Sequence, residues 1–247
     1  MDENCSISCF VVGNQEEENG ILPPDLTLTK FDGIFIAGEL KKDYLNILSG
    51  LEGEKIAIDF TIRGIPFDSV IVDNFTNGYE VTSYLIEKGH AKIGFVGNIN
   101  HTSSICDRYF GYLKAMKRND LAIQKDWYLP DINTLDGVYT KDFDLPGDLP
   151  TAFVCHCDKA AFTLMQKLES CNIRIPEDVS VISFDNTSIC DLVTPKLSSV
   201  NVDKKQIALY SFNQMINRLN TPYLAPHKIY LGSALVERDS VRSIPPG

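Results

Sequence analysis

Along this chain, short apolar runs rich in β-branched residues alternate with stretches in which apolar residues recur every three or four positions. The first kind reads as strands: SISCFVV (6–12), GIFIA (33–37), KIAID (55–59), DSVIVD (68–73), KIGFVG (92–97), TAFVC (151–155), VSVISFD (179–185) and KIYL (228–231). The second kind reads as helices. Tyr109, Tyr112, Leu113 and Met116 share one face in 106–118; Ala161, Leu164, Met165 and Leu168 do so in 158–171; Ala208, Phe212, Met215, Ile216 and Leu219 do so in 203–219. Gly89 closes the helical VTSYLIEKG, Cys157 or Asp158 opens the helix at 158, and Pro176 follows that helix where it breaks nothing. Strands alternating with helices predict an α/β fold with mainly parallel sheets covered on both faces. The polar stretches NQEEEN (14–19) and LPPDL (22–26) read as a solvated loop.

The run 179–185 is apolar enough to be buried on both sides, yet it stops on a carboxylate, Asp185, with Asn186 behind it. A buried charge is costly unless something pairs with it. In open parallel sheets ligands bind beyond the carboxyl ends of the strands. Asp185, Asp59 and Asp73 all stand at such ends, and together they predict a polar crevice. A strand-ending aspartate is also a routine cap or turn former. For Asp73, followed by NFTNGYEV, a cap or hinge is at least as good a reading.

Composition narrows the function classes. A net charge of −10 over 247 residues repels phosphate backbones, so bare DNA or RNA is not an expected direct partner. No apolar run approaches the ~20 residues of a membrane span. The start, MDENCSISCFVV, is acidic rather than basic and does not read as a secretory signal, which makes cytoplasm the expected compartment. Seven scattered cysteines read as reduced core thiols there. CHCD (155–158) invites a metal reading, but Cys155, His156 and Cys157 would point to alternating faces at a strand end, and no second ligand pair with zinc spacing exists. No Walker loop or dinucleotide fingerprint is present, so neither metal nor cofactor is expected. None of the four histidines lies beside a serine or cysteine in a known catalytic motif, which argues against an enzyme. Cys157–Asp158, at a strand end and helix start, is the place where a thiol pKa could fall.

Three motifs carry a family resemblance. In DSVIVDNFTNGYEVTSYLIEKGHAKIGFVGN a strand ends on Asp73, a helix bears Gly78, and Gly89–His90, Lys92 and Ile93–Gly94 follow. DRYFGYLKAM (107–116) fits Arg-x-x-Gly-aromatic-x-x-Ala, and IPEDVSVISFDN…LVTPKLSSV with LVERDSV completes the set over about 68–240. This pattern resembles the effector-binding core of LacI/GalR bacterial transcription regulators. The resemblance implies a periplasmic-binding-protein-like type I architecture: two Rossmann-like subdomains with parallel sheets, joined by three crossovers near Asp73–Asn74, Asn201–Asp203 and Gly232–Ala234. It places the N-terminal subdomain at 1–73 plus 203–231 and the C-terminal one at 74–202 plus 232–247. It also implies a cleft in which Arg108 and Asp185 face a ligand and Asp59, Asn98, Thr102, Ser104, Ile132 and Cys157 line the wall. A planar guanidinium that only donates and a carboxylate that only accepts suit a polyol.

The resemblance further implies a sugar-like small-molecule effector and a homodimer formed through 76–88, 158–171 and the segment around Pro195–Val200, with Tyr84, Phe162 and Leu192 as apolar surface candidates. DNA would be reached only through a helix-turn-helix that is not recognisable in this chain; the family's first strand, loop and helix are not recognisable either. The first subdomain is therefore expected to be rearranged, with a sheet edge left unpaired. Cys157 and Ile132 make the expected pocket wall less polar and less suited to stacking a sugar ring than the family's usual residues. An extracytoplasmic solute-binding protein of the same architecture is the alternative, to be revived by a signal peptide upstream of Met1 and ended by a helix-turn-helix there.

Overall fold

The computed structural model describes residues 5–61, 64–131, 140 and 143–245. In chain order the elements are α1 (Asn14–Asn19), α2 (Pro24–Leu28), β1 (Gly33–Ala37), α3 (Lys42–Ser49), β2 (Glu54–Ile58), β3 (Asp68–Val72), α4 (Asn74–Glu87), β4 (Ile93–Val96) and α5 (Ser103–Arg118). They continue with β5 (Tyr128–Leu129), β6 (Ala152–Cys155), α6 (Asp158–Ser170), β7 (Ser180–Phe184), α7 (Ile189–Leu192), β8 (Ser198–Asn201), α8 (Lys204–Asn220), β9 (Lys228–Leu231) and β10 (Ala234–Val236). The chain divides into two units, 1–71 with 206–229 and 72–205 with 230–247.

The second unit is a six-stranded sheet in the order β10-β8-β7-β6-β4-β5, parallel except for β10. Strand alternation decides what each face meets. Ala152 and Val154 of β6, with Ile182 and Phe184 of β7, join the core shared with Val81, Leu85, Ile105 and Tyr112 of α4 and α5. Phe153 and Cys155, with Val179 and Val181, join the core shared with Ala161, Leu164 and Leu168 of α6. Both faces are covered, so β4, β6 and β7 are buried throughout. Helices α4 and α5 cross closely because two glycines meet there. A Cβ on Gly78 would strike the Arg108 carbonyl, and one on Gly111 would strike the Phe75 carbonyl. That close crossing sets where α5 presents Arg108.

The first unit holds a four-stranded sheet in the order β1-β2-β3-β9. Its core gathers Ile36, Tyr44, Leu45, Leu48, Ala57 and Phe60. On β3, Asp68 is buried and accepts from Arg218 Nε (2.9 Å), Gln214 Nε2 (2.8 Å) and the His227 N–H (2.6 Å), which ties α8 to the sheet. Burial alone would raise the Asp68 pKa; bonds from Arg218, Gln214 and His227 outweigh it and hold the carboxyl below its ordinary value.

Several elements differ from the sequence reading. Residues 6–12 are not a strand: Ile7 is 83% and Val11 86% exposed, and no ladder forms along them. Apolar content cannot make a strand without a partner edge to bond to. The stretches 14–19 and 22–26 are not a solvated loop throughout; they contain α1, closed by Gly20 at φ 66, and α2, opened by Pro24. β8 hides its burial behind polar letters. Ser198 and Ser199 are fully buried, and the Ser199 hydroxyl donates to Asp158 Oδ1 at 2.7 Å. Leu197–Val200 are buried, so of Pro195–Val200 only the first two residues remain exposed enough to meet another subunit.

Candidate functional site

β7 delivers its chain to Asp185, whose N–H donates to the Val200 carbonyl (2.9 Å). The backbone then turns sharply, with φ 99 at Asp185 and φ 46 at Asn186. Positive φ at two consecutive non-glycine residues is strained, and such strain concentrates at functional sites. The Asp185 side chain is 32% exposed, whereas that of Arg108 is 5% exposed.

Arg108 is held on three sides within the second unit. Its Nε donates to Asn74 Oδ1 at 2.8 Å, its NH1 donates to the His156 carbonyl, and its Cζ lies 4.5 Å from the centroid of the Phe184 ring. The same NH1 stands 3.5 Å from Asp185 Oδ1. That separation is an ion pair without a short hydrogen bond, so the carboxylate retains capacity to accept from another donor. Asn74 opens α4 beside Asp73, which settles the two readings of that aspartate: its carboxylate caps the helix by accepting from the Thr76 N–H at 3.0 Å.

Of the remaining predicted residues, Asn98, Cys157 and Asp59 follow strands, and Thr102 and Ser104 stand at the start of α5. Asn98 follows β4 and is buried; its N–H donates to Asp131 Oδ1 (3.0 Å) and its Oδ1 accepts from the Asn100 N–H (3.0 Å). Thr102 caps α5, accepting from the Ile105 N–H at 3.4 Å, and its hydroxyl meets the Ser104 hydroxyl at 3.0 Å. Cys157 caps α6, its Sγ accepting from the Ala160 N–H at 3.4 Å. Asp59 belongs to the first unit, at the end of β2, with φ 63 and its N–H donating to the Val70 carbonyl at 2.8 Å. Ile132 lies outside the described residues. The structure thus gathers Arg108, Asp185, Asn98, Thr102, Ser104 and Cys157 in one unit and leaves Asp59 in the other.

Sequence reasoning missed Asn74, Asp131 and His156. His156 is buried, and its Nε2 donates to Asp131 Oδ2 at 2.7 Å while lying 3.4 Å from Cys157 Sγ. Burial disfavours the imidazolium, but the Asp131 carboxylate and the Cys157 sulfur outweigh that and push the His156 pKa up to about 9. Because one ring nitrogen faces both the carboxylate and the thiol, the three do not form a nucleophile–base–orienter relay, which needs both nitrogens. His156 instead fixes the turn whose carbonyl receives Arg108. The CHCD motif was the signal for it, weighed there for metal ligation and set aside, with the histidine's partner Asp131 unseen. Among the described residues no cluster of histidine, cysteine and carboxylates is placed to hold a metal ion. A cavity of about 310 Å³ lies in the first unit beside Gln214, Arg218 and His227; it contains none of the predicted residues, and its buried charges already satisfy one another.

Parallel α/β units with polar groups at the carboxyl ends of their strands fit the periplasmic-binding-protein-like class of folds, which the family match and the solved structures show. The chain belongs to the periplasmic binding protein-like domain family, which it matches over residues 82–241. Among curated proteins it is similar to the HTH-type transcriptional repressor PurR of Pectobacterium atrosepticum, 27% identical over 225 residues, covering 89% of this chain and 66% of that protein. It is also similar to PurR of Actinobacillus pleuropneumoniae serotype 3, 28% identical over 256 residues, covering 99% of this chain and 76% of that one. The chain therefore spans just under two thirds of the length of the first of these repressors. Among solved structures, a transcription regulator from Lactobacillus plantarum superposes with a TM-score of 0.78 at 22% identity, covering 93% of this chain and 87% of that one. A LacI family regulator from Enterococcus faecium with bound ribose gives 0.70 at 22% identity, covering 93% and 83%. These structures share the fold. No helix among the described residues is long and apolar enough to cross a membrane.

Proposed function

We propose that this chain is the effector-binding part of a LacI-type transcriptional regulator, and that Arg108 and Asp185 together grip a small hydroxylated or polar molecule, a sugar foremost. One observation carries the reading: a buried guanidinium, fixed by Asn74, the His156 carbonyl and Phe184, stands 3.5 Å from a carboxylate that is still partly open to solvent. Vicinal hydroxyls would donate to Asp185, and ligand oxygens would accept from Arg108. Each charge-assisted bond contributes roughly 1.5–3 kcal/mol, and a micromolar ligand requires about 8 kcal/mol. The pair supplies about half of that, and apolar packing supplies the rest. Asn98 and Cys157, which follow β4 and β6, with Thr102 and Ser104 at the start of α5, complete the proposed contacts. The likeness to PurR repressors and to a ribose-bound LacI family regulator supports the reading.

As part of such a regulator the chain acts in the cytoplasm and as a homodimer, with Leu192 (81% exposed) and Phe162 (37% exposed) as candidate contact residues. DNA is contacted by a helix-turn-helix segment outside this sequence, since the net charge of −10 is unsuited to it. The effector regulates through its differential affinity for two states of the protein. The test is a panel of sugars and nucleobases screened by melting temperature. One compound is expected to raise it, and Asp185→Ala is expected to abolish the shift. A panel without any shift, or a shift that survives Asp185→Ala, overturns the assignment.

A further inference from the structure

Among the described residues, a few buried side-chain polar atoms have no hydrogen-bond partner in the protein: Asn74 Nδ2, Asn77 Nδ2, Ser83 Oγ, Ser211 Oγ and Arg242 Nε. An unpaired buried polar group costs free energy, so a fold that keeps one calls for a reason. Of these atoms, only Asn74 Nδ2 belongs to a side chain bonded to Arg108. Asn74 is the first residue of α4 and is 2% exposed. Its Oδ1 accepts from Arg108 Nε at 2.8 Å, and that bond fixes which way the amide is turned. A guanidinium only donates, so the reverse orientation would set the amide NH2 against an N–H. The orphan is therefore a donor, and what completes it is an acceptor. Asn74 and Asp185 also stand at different corners of the guanidinium, Asn74 at Nε and Asp185 at NH1.

Resting on the reading of Arg108 and Asp185 as the pair that grips the effector, we propose that Asn74 is a third ligand-holding group. Its Nδ2 donates to an acceptor that carries no proton, the ring oxygen of a closed sugar. The placement of donors and acceptors selects that atom. The two acceptors beside the guanidinium, Asp185 and the His156 carbonyl, both stand at NH1. At the Nε corner the amide oxygen is turned to Arg108, which leaves only the amide NH2 for a ligand. A ligand hydroxyl there could accept from Nδ2, but its own proton would find no acceptor in these side chains. A ring oxygen has no proton to place. The ligand is thereby oriented, with its hydroxyls toward Asp185 and its ring oxygen toward Asn74. Because Nδ2 is shielded from water, such a bond relieves a cost that the protein already carries, and it adds more to affinity than a bond from a solvated amide. A polar site of this kind rejects an analogue that lacks the matching atom.

Calorimetric titration with D-ribose and D-glucose, each beside its carbocyclic analogue in which a methylene replaces the ring oxygen, tests this. The wild type is expected to bind one of the sugars at least about tenfold more tightly than its analogue. Asn74→Asp, checked for folding by circular dichroism, keeps an acceptor for Arg108 Nε and replaces only the donor. It should bind sugar and analogue about equally, because the sugar alone loses a bond. A purely structural role for Asn74 would weaken both compounds by the same factor and leave their ratio unchanged. Should Asn74→Asp not fold, Asn74→Ala replaces it, with the same ratio as the readout. A wild type that binds sugar and analogue alike, or a variant that keeps the wild-type ratio, overturns the role of Asn74 and leaves the Arg108–Asp185 pair standing. A wild type that binds neither sugar overturns both for sugars.

Discussion

Asp185 has two descriptions that differ in what its removal costs. As a structural counter-ion, it keeps a buried guanidinium neutralised, and its loss is severe, ~3–5 kcal/mol. As a ligand acceptor, it contributes little to folding. The geometry favours the second. Arg108 already bonds Asn74 and the His156 carbonyl, and Asp185 stands 3.5 Å away and a third exposed, so the pair is worth about 1 kcal/mol or less to folding. The backbone contributes in the opposite direction. At φ 99 a non-glycine residue costs on the order of 1 kcal/mol, which glycine avoids. Asp185→Ala is therefore expected to lose about 1 kcal/mol, and Asp185→Gly to be more stable than Asp185→Ala by about the same amount, or ~2–4 °C in melting temperature at this chain length. Urea unfolding followed by Trp127 fluorescence is a suitable assay, because this one tryptophan is buried in the same unit. Both variants should lose the ligand-induced shift. If Asp185→Ala and Asp185→Gly each cost more than about 3 kcal/mol, the carboxylate is a fold element, and the case for it as the ligand's acceptor is lost.

Arg108→Met keeps most of the side-chain volume but strands the Asn74 amide oxygen and the His156 carbonyl in a buried site. It should cost about 3–5 kcal/mol in urea unfolding, and a loss under about 1 kcal/mol would show that the guanidinium is not an anchor. The His156 pKa, raised to about 9 in the fold from 6.5, couples stability to pH. The contribution of the protonated ring is complete below about pH 6.5 and is lost as pH rises through about 9. Melting temperature measured from about pH 6 to pH 10 should therefore fall more steeply for the wild type than for Asp131→Asn, which removes the partner. Parallel curves would show that the ring is not charged in the fold.

Strands and helices of the second unit were legible because both of their signals agree. The helices α5 and α6 repeat apolar residues at helical spacing, and β6 and β7 are apolar on both faces because both faces are covered. Legibility failed where burial is achieved with polar groups or where a partner decides the state. β8 reads as polar because Ser198 and Ser199 are satisfied by Arg238, Ser240 and Asp158 inside the sheet. Residues 6–12 read as a strand, but a strand is a property of two segments, and no described neighbour pairs with this one. α1 and α2 are too short for a periodic pattern and are set by their ends, Gly20 and Pro24.

The same distinction runs through the site. Arg108 and Asp185 were visible because each carries its chemistry in its own side chain and sits in a motif of fixed spacing. What orients them was not visible. The guanidinium is anchored by the carbonyl of His156, a group every residue possesses, and by Asn74, thirty-four positions away. His156 is in turn held by Asp131, which follows a strand of only two residues. The glycines that permit the approach, Gly78 and Gly111, belong to different helices and matter only because their backbones meet. Positioning thus depends on convergence of segments that no local pattern relates. It follows that a substitution at Gly78, against the Arg108 carbonyl, or at Gly111, against the Phe75 carbonyl, should displace Arg108 without altering any side chain that would contact a ligand, whereas Asp185 can change while the frame around it stays intact.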